Sequence, residues 1–97
     1  MMKNFLTVGE ITEVKSFTTK KGDKMAVIQL EDLSGDYEVV VFPEVFTQSE
    51  DTIQVGKVVA VKGFEEEAPD GTMQITASAV ALYSDLADLF IVEHDVN

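Results

Sequence analysis

The sequence predicts an all-β domain: a five-stranded barrel with one short helical connection between its third and fourth strands. Three observations carry that reading. Five stretches rich in β-branched residues recur along the chain, separated by turns containing Gly. The longest loss of period-two alternation, residues 44–56, falls between the third and the fourth of them. At 97 residues and 45 % hydrophobic, the chain is long enough to bury one core and too short for two.

The first strand is expected from Phe5 to Phe17. Val8 and Ile11 are three apart, which breaks strict alternation, so a bulge or bend at Gly9 is expected to bring both inside. Residues 18–24 form a turn, with Gly22-Asp23 suited to positive φ. Met25–Asp32 is the second strand, with Ala26, Ile28 and Leu30 on the core face and Met25, Val27, Gln29 and Glu31 on the other. A turn at 33–36 leads to the third strand, Tyr37–Phe42, which Pro43 ends because proline has no N–H for a ladder. Residues 44–53 then read as a helical turn with Val45, Phe46 and Ile53 inward. The fourth strand is expected over 57–65, an acidic loop over 66–71, and the fifth strand over 72–82. Asp70-Gly71 is the hairpin signal between those last two. Leu86, Leu89 and Phe90 have helical spacing, so a short C-terminal helix is expected from Tyr83, with fraying over 92–97. The domain reading is a single unit over 1–97, its core about 5–82 and its tail 83–97.

Strand count and the placement of the helix match an OB-fold, a Greek-key barrel. An SH3-like barrel is the competitor, and such barrels usually lack an element as long as residues 44–56 at that place.

Composition narrows function. The chain has no Cys, which excludes disulfides and thiolate metal sites and fits a reducing cytoplasm. No apolar run approaches a membrane span, and the first residues are too short and mixed for a signal peptide, so no membrane partner is expected. Seven Lys, no Arg and 18 acids give a net charge of −11, unusual for a nucleic-acid binder. The charge is uneven: residues 1–33 hold five Lys and five acids, whereas residues 34–97 hold two Lys and 13 acids. Any basic surface must therefore come from the first third, around Lys20, Lys21 and Lys24.

The segment from Lys20 to Phe46 contains four blocks in order: Lys20-Lys21-Gly22, Met25-Ala26, Leu30-Glu31-Asp32, and a strand led by Gly35 that ends in Phe42-Pro43. In these blocks and their spacing the chain resembles the OB domain of bacterial DNA polymerase III alpha subunits. The likeness is specific over 8–46 and compatible to about 82. Anticodon-binding domains of class II aminoacyl-tRNA synthetases share the fold but generally not the Phe-Pro ending. The resemblance implies a fragment or self-standing homologue of a non-catalytic module that contacts single-stranded template DNA or other replisome subunits. The polymerase's catalytic acids lie in other parts of such a protein.

On an OB-fold the second and third strands and the first-to-second and fourth-to-fifth loops form the usual binding face. Cations there would hold phosphates, and apolar side chains would stack bases. The residues expected to serve are Lys20, Lys21, Lys24, Met25 and Phe42, with Phe17 and Val27 as further apolar candidates and Lys15 and Lys62 flanking. Each has a plainer role: a soluble turn for the lysines, a core position for Phe42 or Phe17. Tyr37 is expected to anchor the start of its strand with its ring half exposed. The acids Glu65, Glu66, Glu67 and Asp70 would repel phosphate, and suit instead a basic protein partner. Nothing points to catalysis, a cofactor or a small-molecule substrate: His94 stands alone in the tail, and there is no phosphate-binding Gly-rich loop or nucleophile elbow. A cation site from Asp32, Asp36 and Glu38 is a minor alternative.

Overall fold

Five strands and one helix follow one another as β1 (Lys3–Thr18), β2 (Lys24–Asp32), β3 (Gly35–Val41), α1 (Pro43–Ser49), β4 (Val58–Glu67) and β5 (Met73–Leu82) in the computed structural model, which describes residues 3–71 and 73–86. They close into a barrel in the order β1-β2-β3-β5-β4. All neighbours are antiparallel except β3 and β5, which run parallel. This is the architecture of the OB-fold.

Closure depends on β1 serving two partners. Its first half, Lys3–Glu10, pairs with β4, and Glu10–Thr18 pairs with β2. The bend lies near the expected place, but its effect on the side chains differs. Val8 is not inside; it is 42 % exposed, and Gly9 and Ile11 face the core instead. The extra residue is Thr12, between the pairs Ile11–Leu30 and Glu13–Gln29, and it returns Val14 to the inner side. Gly9 is required for a different reason. A Cβ there would sit 2.6 Å from the Glu31 carbonyl oxygen, so only glycine lets β1 cross β2 this closely. Gly63 makes a second such approach, with Thr76 O 2.0 Å from the place of a Cβ. There Ser78 is the extra residue of β5, between the pairs Lys62–Ala79 and Gly63–Ala77.

Alternation fills the barrel as expected for β2: Ala26, Ile28 and Leu30 are fully buried, against Val39, Val41, Val59 and Val61. Each large aliphatic contributes about 1.5–3 kcal/mol by leaving water. Pro43 ends β3 and opens α1, where its missing N–H costs nothing. Phe46 and Ile53 are buried and Val45 packs beside them, as the sequence implies. The one buried polar side chain among the described residues, Ser49, donates to the Val45 carbonyl at 2.6 Å.

The acids after Phe64 correct the expected loop. β4 runs to Glu67, because Glu65, Glu66 and Glu67 pair with Ile75, Gln74 and Met73. They stand on a strand rather than on a finger, and Asp70 is the acid left in the turn, beside Gly71 at φ 89°. Residues 83–86 are helical, which agrees with the expected C-terminal helix. The expectations for Leu89, Phe90 and the last residues, His94 included, lie outside the described residues.

Candidate nucleic-acid interface

Ladder register decides which side chains share a face. Phe17 pairs with Met25, and Thr18 with Lys24. The last β2–β3 pair is Ala26–Val41, both buried, so Met25 and Phe42 flank it on the outside. Phe42 keeps an extended backbone, φ −69° and ψ 162°, before α1 begins. Phe17, Met25 and Phe42 therefore form one outer row across three strands. Phe17 is 48 % and Phe42 45 % exposed, which removes the core reading of both.

The β1–β2 turn closes at the end of this row. Thr19 N donates to Asp23 O at 2.8 Å, Gly22 N donates to Thr19 O at 2.9 Å, and Gly22 takes φ 89°. Lys20, Lys21 and Lys24 are exposed there, with no carboxylate partner among the described residues. The structure thus brings all five expected residues to one end of the β1–β2–β3 face. One row further in come Lys15, Val27 and Val40, by the pairs Lys15–Val27 and Val27–Val40. The next row is acidic: Glu13 pairs with Gln29, and Gln29 with Glu38. A shallow hollow of about 190 Å³ spans these two rows, lined by Lys15, Phe17, Val27 and Gln29 with Glu13 and Glu38 at its edge. Glu13 lies 3.5 Å from Lys15, an exposed pair worth at most about 1 kcal/mol. Phe17, Lys15 and Val27 were legible as period-two partners of Met25, once the turn fixed the register.

Lys62 does not flank this face. It stands on the outer side of β4, paired with Leu6 of β1 and Ala79 of β5. Tyr37 is half-buried as expected, its ring edge-on to Phe5 at 5.2 Å and its hydroxyl 2.9 Å from Ser34 Oγ. The acids Asp32, Asp36 and Glu38 do not converge. Asp36 and Glu38 lie on the outer face, whereas Asp32 follows the inward parity of Leu30. The Asp32 carboxylate accepts from the Thr7 hydroxyl, from Ser34 N and Oγ at 2.7 Å each, and from Gly35 N at 3.1 Å. The hydroxyl of Thr7 first, then those Ser34 and Gly35 donors, hold its pKa below the ordinary 3.8 against a smaller opposing effect of burial. It is a turn-locking carboxylate. Among the described residues no cluster of His, Cys, Asp or Glu is placed to hold a metal, and no helix is long and apolar enough to cross a membrane.

A family model described as "OB-fold nucleic acid binding domain" matches residues 5–83. The chain belongs to that family. Over 59 residues it is 49 % identical to the DNA polymerase III subunit alpha of Aquifex aeolicus, covering 61 % of this chain and 5 % of that one. Over 86 residues it is 33 % identical to the Bacillus subtilis subunit, covering 88 % of this chain and 8 % of that one. The chain thus spans less than a tenth of the curated relatives it matches. A solved mitochondrial single-stranded DNA binding protein from S. cerevisiae superposes with a TM-score of 0.70 at 14 % identity, over 86 % of this chain and 95 % of that one. At that identity the likeness is one of fold.

Proposed function

We propose that this domain is a non-catalytic module that contacts single-stranded DNA within a replicative polymerase alpha subunit in the cytoplasm. The observation that carries the reading is the juxtaposition of Lys20, Lys21 and Lys24, which have no carboxylate partner among the described residues, with the row Phe17, Met25 and Phe42. Cations beside stackable apolar faces are what a single strand needs, because its bases are free to leave the stack and its phosphates need counter-charge. A stacked base contributes about 1–3 kcal/mol in proteins of this kind. The relatives named as DNA polymerase III subunit alpha support the setting. The acidic row of Glu13 and Glu38 bounds the site and keeps binding weak in isolation.

The test is the variant Lys20→Ala with Lys21→Ala, titrated with labelled oligonucleotide over a range of salt. Loss of two phosphate contacts should weaken binding about tenfold and reduce the slope of log K against log salt by about 1.4. An unchanged slope would remove the turn from the interface. Binding of a basic protein with no oligonucleotide binding would favour a protein-interaction role for the acidic surface.

A further inference from the structure

The register of the closed barrel places one row free of acids all the way from the proposed DNA face to the opposite sheet. Lys15 pairs with Val27, Val27 with Val40, Val40 with Thr76, Thr76 with Phe64, and Phe64 with Asn4. All have the outward parity of their strands. Val40 is 8 % exposed, so the crossing there carries no charge and lies beneath its neighbours. The neighbouring row on one side is acidic: Glu13, Gln29 and Glu38, then Gln74 and Glu66 by the pair Glu66–Gln74. A polyanion that follows the barrel is thereby repelled from that side and steered onto the acid-free row. The row ends at a hollow of about 440 Å³ lined by Asn4, Leu6, Lys62, Gly63, Phe64 and Ser78.

That hollow has the parts of a base subsite. Gly63 lies in its floor and packs directly against the Thr76 carbonyl, so no residue with a side chain fits there. Leu6, 74 % exposed, and the half-exposed Phe64 offer apolar faces. Lys62 offers a cation without a carboxylate partner among the described residues, and Asn4 an amide. We propose that this hollow is a second nucleobase subsite, in which a base packs on Phe64 and Leu6 while Lys62 holds an adjoining phosphate. It rests on the single-stranded DNA reading above and extends it by a site on β1 and β4. From β1 through β2, β3 and β5 to β4 is four inter-strand steps, about 19 Å at the backbone ladder and longer at the outer surface that a ligand follows. A short strand on the Phe17–Met25 row does not reach it, and a strand of about twelve nucleotides, within the range of OB-folds, does.

The chain has no Trp, so Phe64→Trp adds a single reporter at the subsite. We expect its emission to be quenched saturably by a twelve-nucleotide oligothymidylate and left unchanged by a four-nucleotide one, while anisotropy shows both bind. Lys62→Gln, at an exposed position, should weaken the longer strand about threefold, reduce its salt slope by about 0.7, and leave the shorter within twofold. Binding of the longer strand by anisotropy with neither quenching nor a Lys62 effect would overturn the subsite and leave the DNA reading intact. No binding of either strand would overturn both. Concentration-dependent self-association that changes the Trp emission and excludes oligonucleotide would overturn the subsite by giving the hollow to a second copy.

Discussion

The two outer faces of the barrel share one core yet differ sharply in chemistry. The face of β1, β2 and β3 carries Lys15, an apolar row of Phe17, Met25 and Phe42 with Lys24 at the strand end beyond it, and then Glu13, Glu31, Asp36 and Glu38. The face of β1, β4 and β5 carries Leu6, Val8, Val58, Ala60, Ala79 and Ala81 around Lys62, with Glu10 at one end and Glu66 at the other. Inside, both present the same aliphatic surface: Ile28 and Val39 on one side, Val59 and Val61 on the other. The inner halves of the strands fix the fold, and the outer halves are free to specialise. One face graduates from cationic to anionic along its strands, which can orient a charged ligand; the other is apolar through its middle around Lys62, with acids only toward its ends.

The comparison breaks most completely where the strands of the second face approach. Gly63→Ala would push a methyl into the Thr76 carbonyl and should cost about 3 kcal/mol, with the midpoint of urea unfolding falling accordingly. A fully folded variant of unchanged stability would mean that the bulge at Ser78 relaxes at little cost. Next in size is the roughly tenfold loss of oligonucleotide binding expected for the double variant of Lys20 and Lys21, with Lys62→Gln sparing short strands.

A smaller effect sharpens the gradient on the first face. Glu13→Gln with Glu38→Gln should strengthen oligonucleotide binding about threefold at low salt. The gain should shrink at higher salt, because these exposed charges act within a Debye length of about 8 Å at physiological strength. No gain would separate the acidic row from the binding surface. The smallest concerns the turn below both faces. The folded pKa of Asp32 is depressed, so the stability it contributes is fully present above its unfolded value near 3.8 and is lost as pH falls through the folded value. Asp32→Asn should lower the unfolding midpoint at pH 7 and flatten its fall in acid; a parallel acid profile in the variant would exclude that carboxylate as the titrating group.

Much of this was legible in the sequence, for physical reasons. Alternation in Ala26-Val27-Ile28-Gln29-Leu30 gave one inner face, and Pro43 could not continue a strand. The lysine turn was readable from Gly22-Asp23, and Phe42 followed from the length of its strand. What failed was non-local. Val8 looked inward because its hydrophobicity was read without knowing that Gly9 must meet the Glu31 carbonyl. Glu66 and Glu67 looked like loop because acids are rare in strands, but the partner β5 pairs with each of them. Lys62 was assigned to the wrong face since closure, not spacing, decides which sheet β4 joins. The acid-free row from Lys15 to Phe64 has no trace in a linear reading at all, because it crosses five strands at one residue each.

Fluorescence anisotropy of the purified domain with labelled twelve-nucleotide single strand, at two salt concentrations and against duplex competitor, tests the central claim most directly. The account predicts saturable binding that weakens as salt rises and that duplex of equal length displaces poorly. Absence of binding at low salt, or equal displacement by duplex, would contradict it.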